Sequence, residues 1–231
     1  MTSIIITGAS SGIGRATAEL FLREGWRVGL IARRAEVLGE MAAAHKNAVA
    51  LPADVTDADA MQAAFDRFGD LVVLFNNAGM FGPAGPIDEV ALDDWAQVMG
   101  VNLNGMFIAA RLAFARMRVQ GGGRIINNGS LSAHVPRPGS VCYTTTKHAI
   151  TGLTRSLSLD GRELNITCGQ IDIGNAESEL VATLKEKQPD MQTMDVGHAA
   201  KSVLHMAQLP LEANVQFLTV MATKMPYIGR G

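Results

Sequence analysis

The sequence predicts a doubly wound α/β fold of about seven parallel strands with helices on both faces. Three observations carry this. Short, β-branched, nearly continuous apolar runs recur along the chain, as expected of strands buried on both faces. Longer segments of helical period separate them, and a glycine-rich loop follows the first run and opens the first helix. Strand and helix alternating from end to end imply right-handed crossovers and a parallel sheet.

The first strand is read at Ser3–Thr7 around Ile4, Ile5 and Ile6. In the helix that follows, Ile13, Ala16, Leu20 and Leu22 face one way and Arg15, Glu19 and Arg23 the other. Further strands are read at Arg27–Ala32, Ala48–Pro52, 71–76, 124–128, 165–170 and 215–220. Amphipathic segments at 57–68, 92–117, 140–159 and 195–207 lie between the later strands.

The chain has 231 residues, enough for one large domain spanning 1–231. Apolar residues make up 48% and charged ones 18%, which argues for a substantial core and against disorder. A net charge of -2 and a pI of about 6.2 exclude a broadly basic surface, so no nucleic-acid partner is expected. Cys142 and Cys168 are too few for a disulfide framework or a zinc site, and a reducing cytoplasm fits them best. Met1 leads straight into the first strand without a signal-peptide pattern. No run approaches the roughly eighteen apolar residues of a membrane helix, so no membrane is expected. The histidines (His45, His134, His148, His198 and His205) lack metal-ligand spacing, and no metal site is expected.

Residues 7–14 read Thr-Gly-Ala-Ser-Ser-Gly-Ile-Gly between a strand and a helix. Gly8 suits the tight turn, Gly12 lets the backbone approach a pyrophosphate, and Gly14 permits close helix packing. The helix N-terminus adds free N–H groups and partial positive charge. Tyr143 and Lys147 form a YxxxK, whose i,i+4 spacing puts phenol and ammonium on one helix face. A nearby ammonium favours the phenolate. Together with an oxidised nicotinamide it is expected to lower the phenol by about 3 pH units, roughly 4 kcal/mol, into the range of efficient acid–base catalysis. Ser130 lies at the carboxyl end of the fifth strand, where α/β sheets hold ligands.

These motifs resemble the short-chain dehydrogenase/reductase family, in its compact rather than extended branch, across nearly the whole chain. The octet is similar to its TGxxxGIG fingerprint, and Asn76-Asn77-Ala78-Gly79 to its NNAG. The resemblance implies a Rossmann fold and a hydride transfer between a nicotinamide and a small alcohol or carbonyl substrate. It implies that Tyr143 moves the hydroxyl proton, Ser130 holds the substrate oxygen, Lys147 holds the nicotinamide ribose, and Asn102 positions a water. Ser132 competes with Ser130, which is preferred because it lies thirteen residues before Tyr143. Cofactor contacts are implied for Gly8, Ser10, Ser11, Gly12, Ile13, Gly14, Arg33, Asp54, Val55, Asn76, Ala78, Gly79, Tyr143, Lys147 and Ile173.

Ala32 stands where NAD enzymes place a carboxylate for the ribose 2′-hydroxyl, and Arg33 follows it, so NADP(H) is expected over NAD(H). Ser11 is placed to add a hydroxyl to the 2′-phosphate; the alternative is that Arg33 merely stacks on adenine and Arg34 starts the next helix in solvent. The family's usual Pro-Gly after the sixth strand is missing from 169–175, and Asn175 takes the place of its usual threonine. The polar stretch 174–194 is expected to form a substrate lid. The segments 103–117 and 141–159 are expected to pair two-fold in a homodimer or homotetramer. Arg137 borders the expected substrate pocket and could meet an acidic substrate, a solvated loop position being the plainer reading. The competing functions are a catalytically silent nucleotide-binding regulator or scaffold of the same fold, and an epimerase or dehydratase of the extended branch. The intact Ser130, Tyr143 and Lys147 speak against the first, and the glycine spacing against the second.

Overall fold

The computed structural model describes residues 2–178, 181, 182, 185 and 189–227. Its elements run β1 (Ser3–Thr7), α1 (Gly12–Arg23), β2 (Arg27–Ala32), α2 (Ala35–Ala44), β3 (Ala48–Pro52), α3 (Ala58–Phe68), β4 (Val73–Asn76), α4 (Leu92–Met99), α5 (Gly105–Gln120), β5 (Gly123–Asn128), α6 (Val141–Asp160), β6 (Ile166–Gly174), α7 (Val196–Gln208) and β7 (Phe217–Met221). The strands form one all-parallel sheet in the order β3-β2-β1-β4-β5-β6-β7.

Alternation along the strands splits the core between the two faces. Ile4, Ile6, Val73, Phe75 and Ile126 pack with Phe21 and Leu22 of α1 and Ala199 and Val203 of α7. Ile5, Leu74 and Ile125 point to the other face, with Phe65 of α3 and Ala109 and Ala113 of α5. Each strand thus needs apolar residues in both registers, which explains the unbroken runs in the sequence. From β1 the order runs one way through β2 to β3 and the other way through β4. The carboxyl ends of β1 and β4 therefore border a crevice suited to a ligand.

Three elements differ from the sequence reading. The segment expected at 92–117 is one helix over Leu92–Gln120, interrupted by a π-helical turn at Gly100–Asn104 where the Gly105 N–H reaches back to the Gly100 carbonyl. By length and apolar composition this helix could cross a membrane, against the expectation that no segment could. Met106, Ala109, Ala110, Ala113 and Met117 are nevertheless buried, as in a core helix lying on a sheet. Strand β6 continues past 170 to Gly174: Ile173, where the family has proline, keeps the ladder, pairing with Val220 of β7. Helix α2 was not among the expected amphipathic segments. Only Leu38 and Met41 of its ten residues are buried, too few to make a stripe.

Candidate active site

The glycine loop is shaped by positions that a side chain would spoil. Gly8 has φ +69, a backbone region that favours glycine. A Cβ on Gly14 would lie 2.2 Å from the Gly8 carbonyl oxygen, so α1 can meet the end of β1 this closely only without one. Thr7 ties the two sides of the crevice together. Its hydroxyl oxygen accepts from the Asn77 and Ala78 N–H groups at 2.8 and 3.0 Å, while the Asn77 side chain donates to its carbonyl at 2.9 Å. Ser11 caps α1 with extended backbone, and its hydroxyl makes no capping bond.

Above the loop opens a cleft of about 690 Å³. One end is lined by Ser10, Ser11, Ala32, Arg33, Asp54 and Val55. Arg33 is exposed at its rim. Arg34, exposed at the start of α2, clamps the loop, donating to the Ser10 hydroxyl and carbonyl oxygens at 3.1 and 2.9 Å. Asp54 accepts from the Thr56 N–H and hydroxyl at 2.9 and 2.8 Å. The Thr56 backbone bond, with help from its hydroxyl and from Arg33, holds the Asp54 carboxyl below the usual range against the opposing effect of burial.

At the other end Ser130, Tyr143 and Lys147 come together with Ala78, Gly79 and Ile173. Gly12 and Ile13 of the glycine loop also line the cleft. The Lys147 ammonium donates to the Asn128 carbonyl at 2.7 Å and sits 5.4 Å from the centre of the Tyr143 ring. Burial pulls it down to about 8, with the Asp172 carboxylate opposing. The Tyr143 phenol is pulled in both directions. Burial pushes it above its ordinary value and Asp172 adds to this, while a hydrogen bond from Ser130 and the charge of Arg137 pull it down. Of the two competing serines, Ser130 is the one whose hydroxyl favours ionisation of the phenol. Ser132 also lines the cleft, and its N–H donates to the Ser130 hydroxyl at 3.1 Å.

Three expected site residues stand behind the cleft rather than in its lining: Gly14, packed against the Gly8 carbonyl, Asn76 and Asn102. The Asn76 amide donates to the Met106 carbonyl at 2.7 Å. Asn102, in the π-helical turn, accepts from the Met80 N–H and donates to the Met80 carbonyl, both at 2.8 Å, and donates to the Thr146 hydroxyl at 3.2 Å. Its carboxamide is thereby committed to protein and fixes Met80 in the cleft wall.

The sequence reading missed Asp172. This carboxylate is fully buried at the end of β6. It accepts from the Ser130 N–H at 2.9 Å and the Gln170 amide at 2.7 Å, and its other oxygen lies 2.7 Å from His134 Nε2. A lone carboxylate inside an apolar strand was the available signal; its partner His134 lies 38 residues earlier.

Of the expected lid 174–194, residues 179, 180, 183, 184 and 186–188 lie outside the described residues. Its two ends are joined by the Glu177 N–H to Met194 carbonyl bond at 2.9 Å and the Met194 N–H to Asn175 carbonyl bond at 3.0 Å. Ala176, Ser178 and Val181 line the cleft.

Glycines that a Cβ would foul, a helix N-terminus facing the cleft and an uncommitted Ser11 hydroxyl fit a nicotinamide dinucleotide. The short chain dehydrogenase family model matches residues 2–189. Among curated relatives, 2-(R)-hydroxypropyl-CoM dehydrogenase of Xanthobacter autotrophicus is 37% identical over 76% of this chain and 75% of its own. Serine 3-dehydrogenase of Agrobacterium fabrum is 30% identical over 98% of this chain and 96% of its own. Among solved structures, the closed form of serine dehydrogenase complexed with NADP+ superposes with a TM-score of 0.94, at 22% identity, over 100% of this chain and 98% of that one. A 3-ketoacyl-(acyl-carrier-protein) reductase from Brucella melitensis complexed with NADH gives 0.86, at 23% identity, over 95% and 96%. With this sheet order, this glycine loop and these matches, the chain belongs to the short-chain dehydrogenase/reductase family of oxidoreductases.

Proposed function

We propose that the chain is an NADP(H)-dependent oxidoreductase of small alcohols or carbonyl compounds, with Tyr143 as general acid and base. The observation that carries this reading is the meeting of Ser130, Tyr143 and Lys147 at one end of a cleft whose other end is the glycine loop. A bound nicotinamide would supply or take up the hydride. In carbonyl reduction, Tyr143 donates its phenolic proton to the substrate oxygen, and in alcohol oxidation it takes that proton back. Ser130 holds the same oxygen beside the phenol. Lys147, anchored on the Asn128 carbonyl, offers its remaining N–H groups to the cofactor ribose and its charge to the phenolate. Burial disfavours that phenolate, so these neighbouring donors and cations carry the work of forming it.

Preference for NADP(H) is supported by Ala32 at the end of β2, which leaves no carboxylate to repel a 2′-phosphate, and by exposed Arg33 beside it. With Arg34 holding Ser10, Arg33 is the arginine for the phosphate. We read residues 1–231 as one catalytic unit in a reducing cytoplasm, with 174–194 covering the substrate end. Kinetics with each cofactor and an alcohol and carbonyl panel test the assignment. Wild type should favour NADPH in kcat/KM, and Ala32→Asp with Arg33→Ile should invert the order. Tyr143→Phe should abolish turnover and leave cofactor binding nearly intact; more than a few per cent of wild-type kcat would refute the acid–base role.

A further inference from the structure

One cation in the cleft has no task in the cofactor reading. Arg33, Arg34, Lys147 and Arg137 all line it. The first two stand at the Ser10 end and Lys147 is anchored to Asn128. Arg137 lies at the substrate end, its guanidinium carbon 5.9 Å from the ring centres of both Phe81 and Tyr143. Its Nε is shut off from solvent without a hydrogen-bond partner, and none of the ion pairs among the described residues includes it. Buried donors ordinarily have partners, and one without asks for a reason.

The loop that carries it is held on both sides. The Ser140 hydroxyl donates to the Arg137 carbonyl at 2.8 Å, and the Gly85 N–H donates to the Gly139 carbonyl at 3.1 Å. Phe81 packs edge-on against Tyr143 with ring centres 4.9 Å apart. A guanidinium fixed this way presents a planar fork suited to a carboxylate. We propose that Arg137 binds the carboxylate of a short hydroxy or oxo acid whose reacting carbon lies against Tyr143. The inference rests on the oxidoreductase reading above and names its substrate class. Only a short acid suits it, since the guanidinium and the phenol ring are close neighbours.

Binding is tested separately from turnover in the Tyr143→Phe protein saturated with NADP+. The probes are lactate and 3-hydroxybutyrate, each paired with its methyl ester, with affinities read by calorimetry. At least one acid should bind tenfold or more tightly than its ester. Adding Arg137→Met should remove that preference, and Arg137→Lys should restore part of it. Equal binding of acid and ester, equal weakening of both by Arg137→Met, or no acid binding at all would overturn the proposal. A wild-type enzyme that turns over neutral alcohols but no hydroxy acid sinks this inference and leaves the oxidoreductase reading standing. Arg137-dependent acid binding without any turnover does the reverse.

Discussion

Replacing Lys147 with methionine is predicted to abolish turnover and, at neutral pH, to make the protein more stable. The Lys147 ammonium is 4% exposed, and burial takes it from 10.5 to about 8. That difference corresponds to about 3 kcal/mol by which folding disfavours its charged form at pH 7. Methionine removes this cost but leaves the Asn128 carbonyl, now 2.7 Å from Nζ, without its donor, a loss of about 1.5 kcal/mol. The net gain is about 1.5 kcal/mol, or roughly 4 °C in Tm for a chain of this size.

The sign depends on pH. Between about 8 and 10.5 the unfolded chain holds a proton on Lys147 that the folded chain has released, so this group's contribution to stability rises with pH across that window. Above it the amine is neutral in both states, the desolvation cost is gone, and the variant should be the less stable by about 1.5 kcal/mol. Cys168, raised by burial, acts in the opposite direction at alkaline pH, but it is common to both proteins and cancels in the difference. Urea denaturation of both proteins without added cofactor, at fixed concentration from pH 7 to 10.5, should give a stability difference that changes sign near pH 9. A constant difference, or a variant less stable at pH 7, would refute the reasoning.

Asp172→Asn removes a carboxylate that raises both Tyr143 and Lys147, so both limbs of the pH profile for alcohol oxidation should move to lower pH; an upward shift, or none, would contradict the placement of that charge. Gly14→Ala puts a methyl group 2.2 Å from the Gly8 carbonyl oxygen and should lower stability by about 3 kcal/mol, with loss of cofactor affinity; an unchanged Tm would show that the loop gives way freely. Phe107 on α5 and Leu159 on α6 are large exposed apolar residues, at 54% and 60%, on the segments expected to pair two-fold. Sedimentation at micromolar concentration should find a dimer or tetramer, and a clean 24.5 kDa monomer would exclude it.

The sheet was legible because its inner strands are buried on both faces, which makes them apolar in both registers and hard to mistake. The glycine loop was legible because close backbone approach leaves glycine alone at Gly14. The missing proline in 169–175 was visible too, but its consequence was not. With Ile173 able to pair with Val220, β6 runs on to Gly174 and carries Asp172 to the wall beside Ser130. Asn76 and Asn102 matched family positions, yet residue type alone could not say that their amides are committed to Met106, Met80 and Thr146. The contacts of Arg34 and His134 were hidden for the same reason. Their partners, Ser10 and Asp172, are distant in sequence and are brought near only by the packed sheet.

What the sequence could least reveal is the balance of charge at Tyr143. The YxxxK spacing suggests that an ammonium one turn away settles the phenol's protonation, but both groups are enclosed in protein, and enclosure works against charge on either. Lys147 is drawn toward its neutral amine and Tyr143 toward its neutral phenol. Asp172 then separates them, favouring the ammonium while disfavouring the phenolate. A site arranged in this way resists ionisation of the phenol until further positive charge or hydrogen-bond donation reaches it. Interactions that appear only as the reaction proceeds are those that lower its barrier, so a reluctant base beside a held cation is consistent with catalysis rather than opposed to it. It also explains why Ser130, fixed through its N–H by Asp172 and through its hydroxyl by the Ser132 N–H, must be placed so firmly: its hydroxyl is the uncharged donor that favours the phenolate.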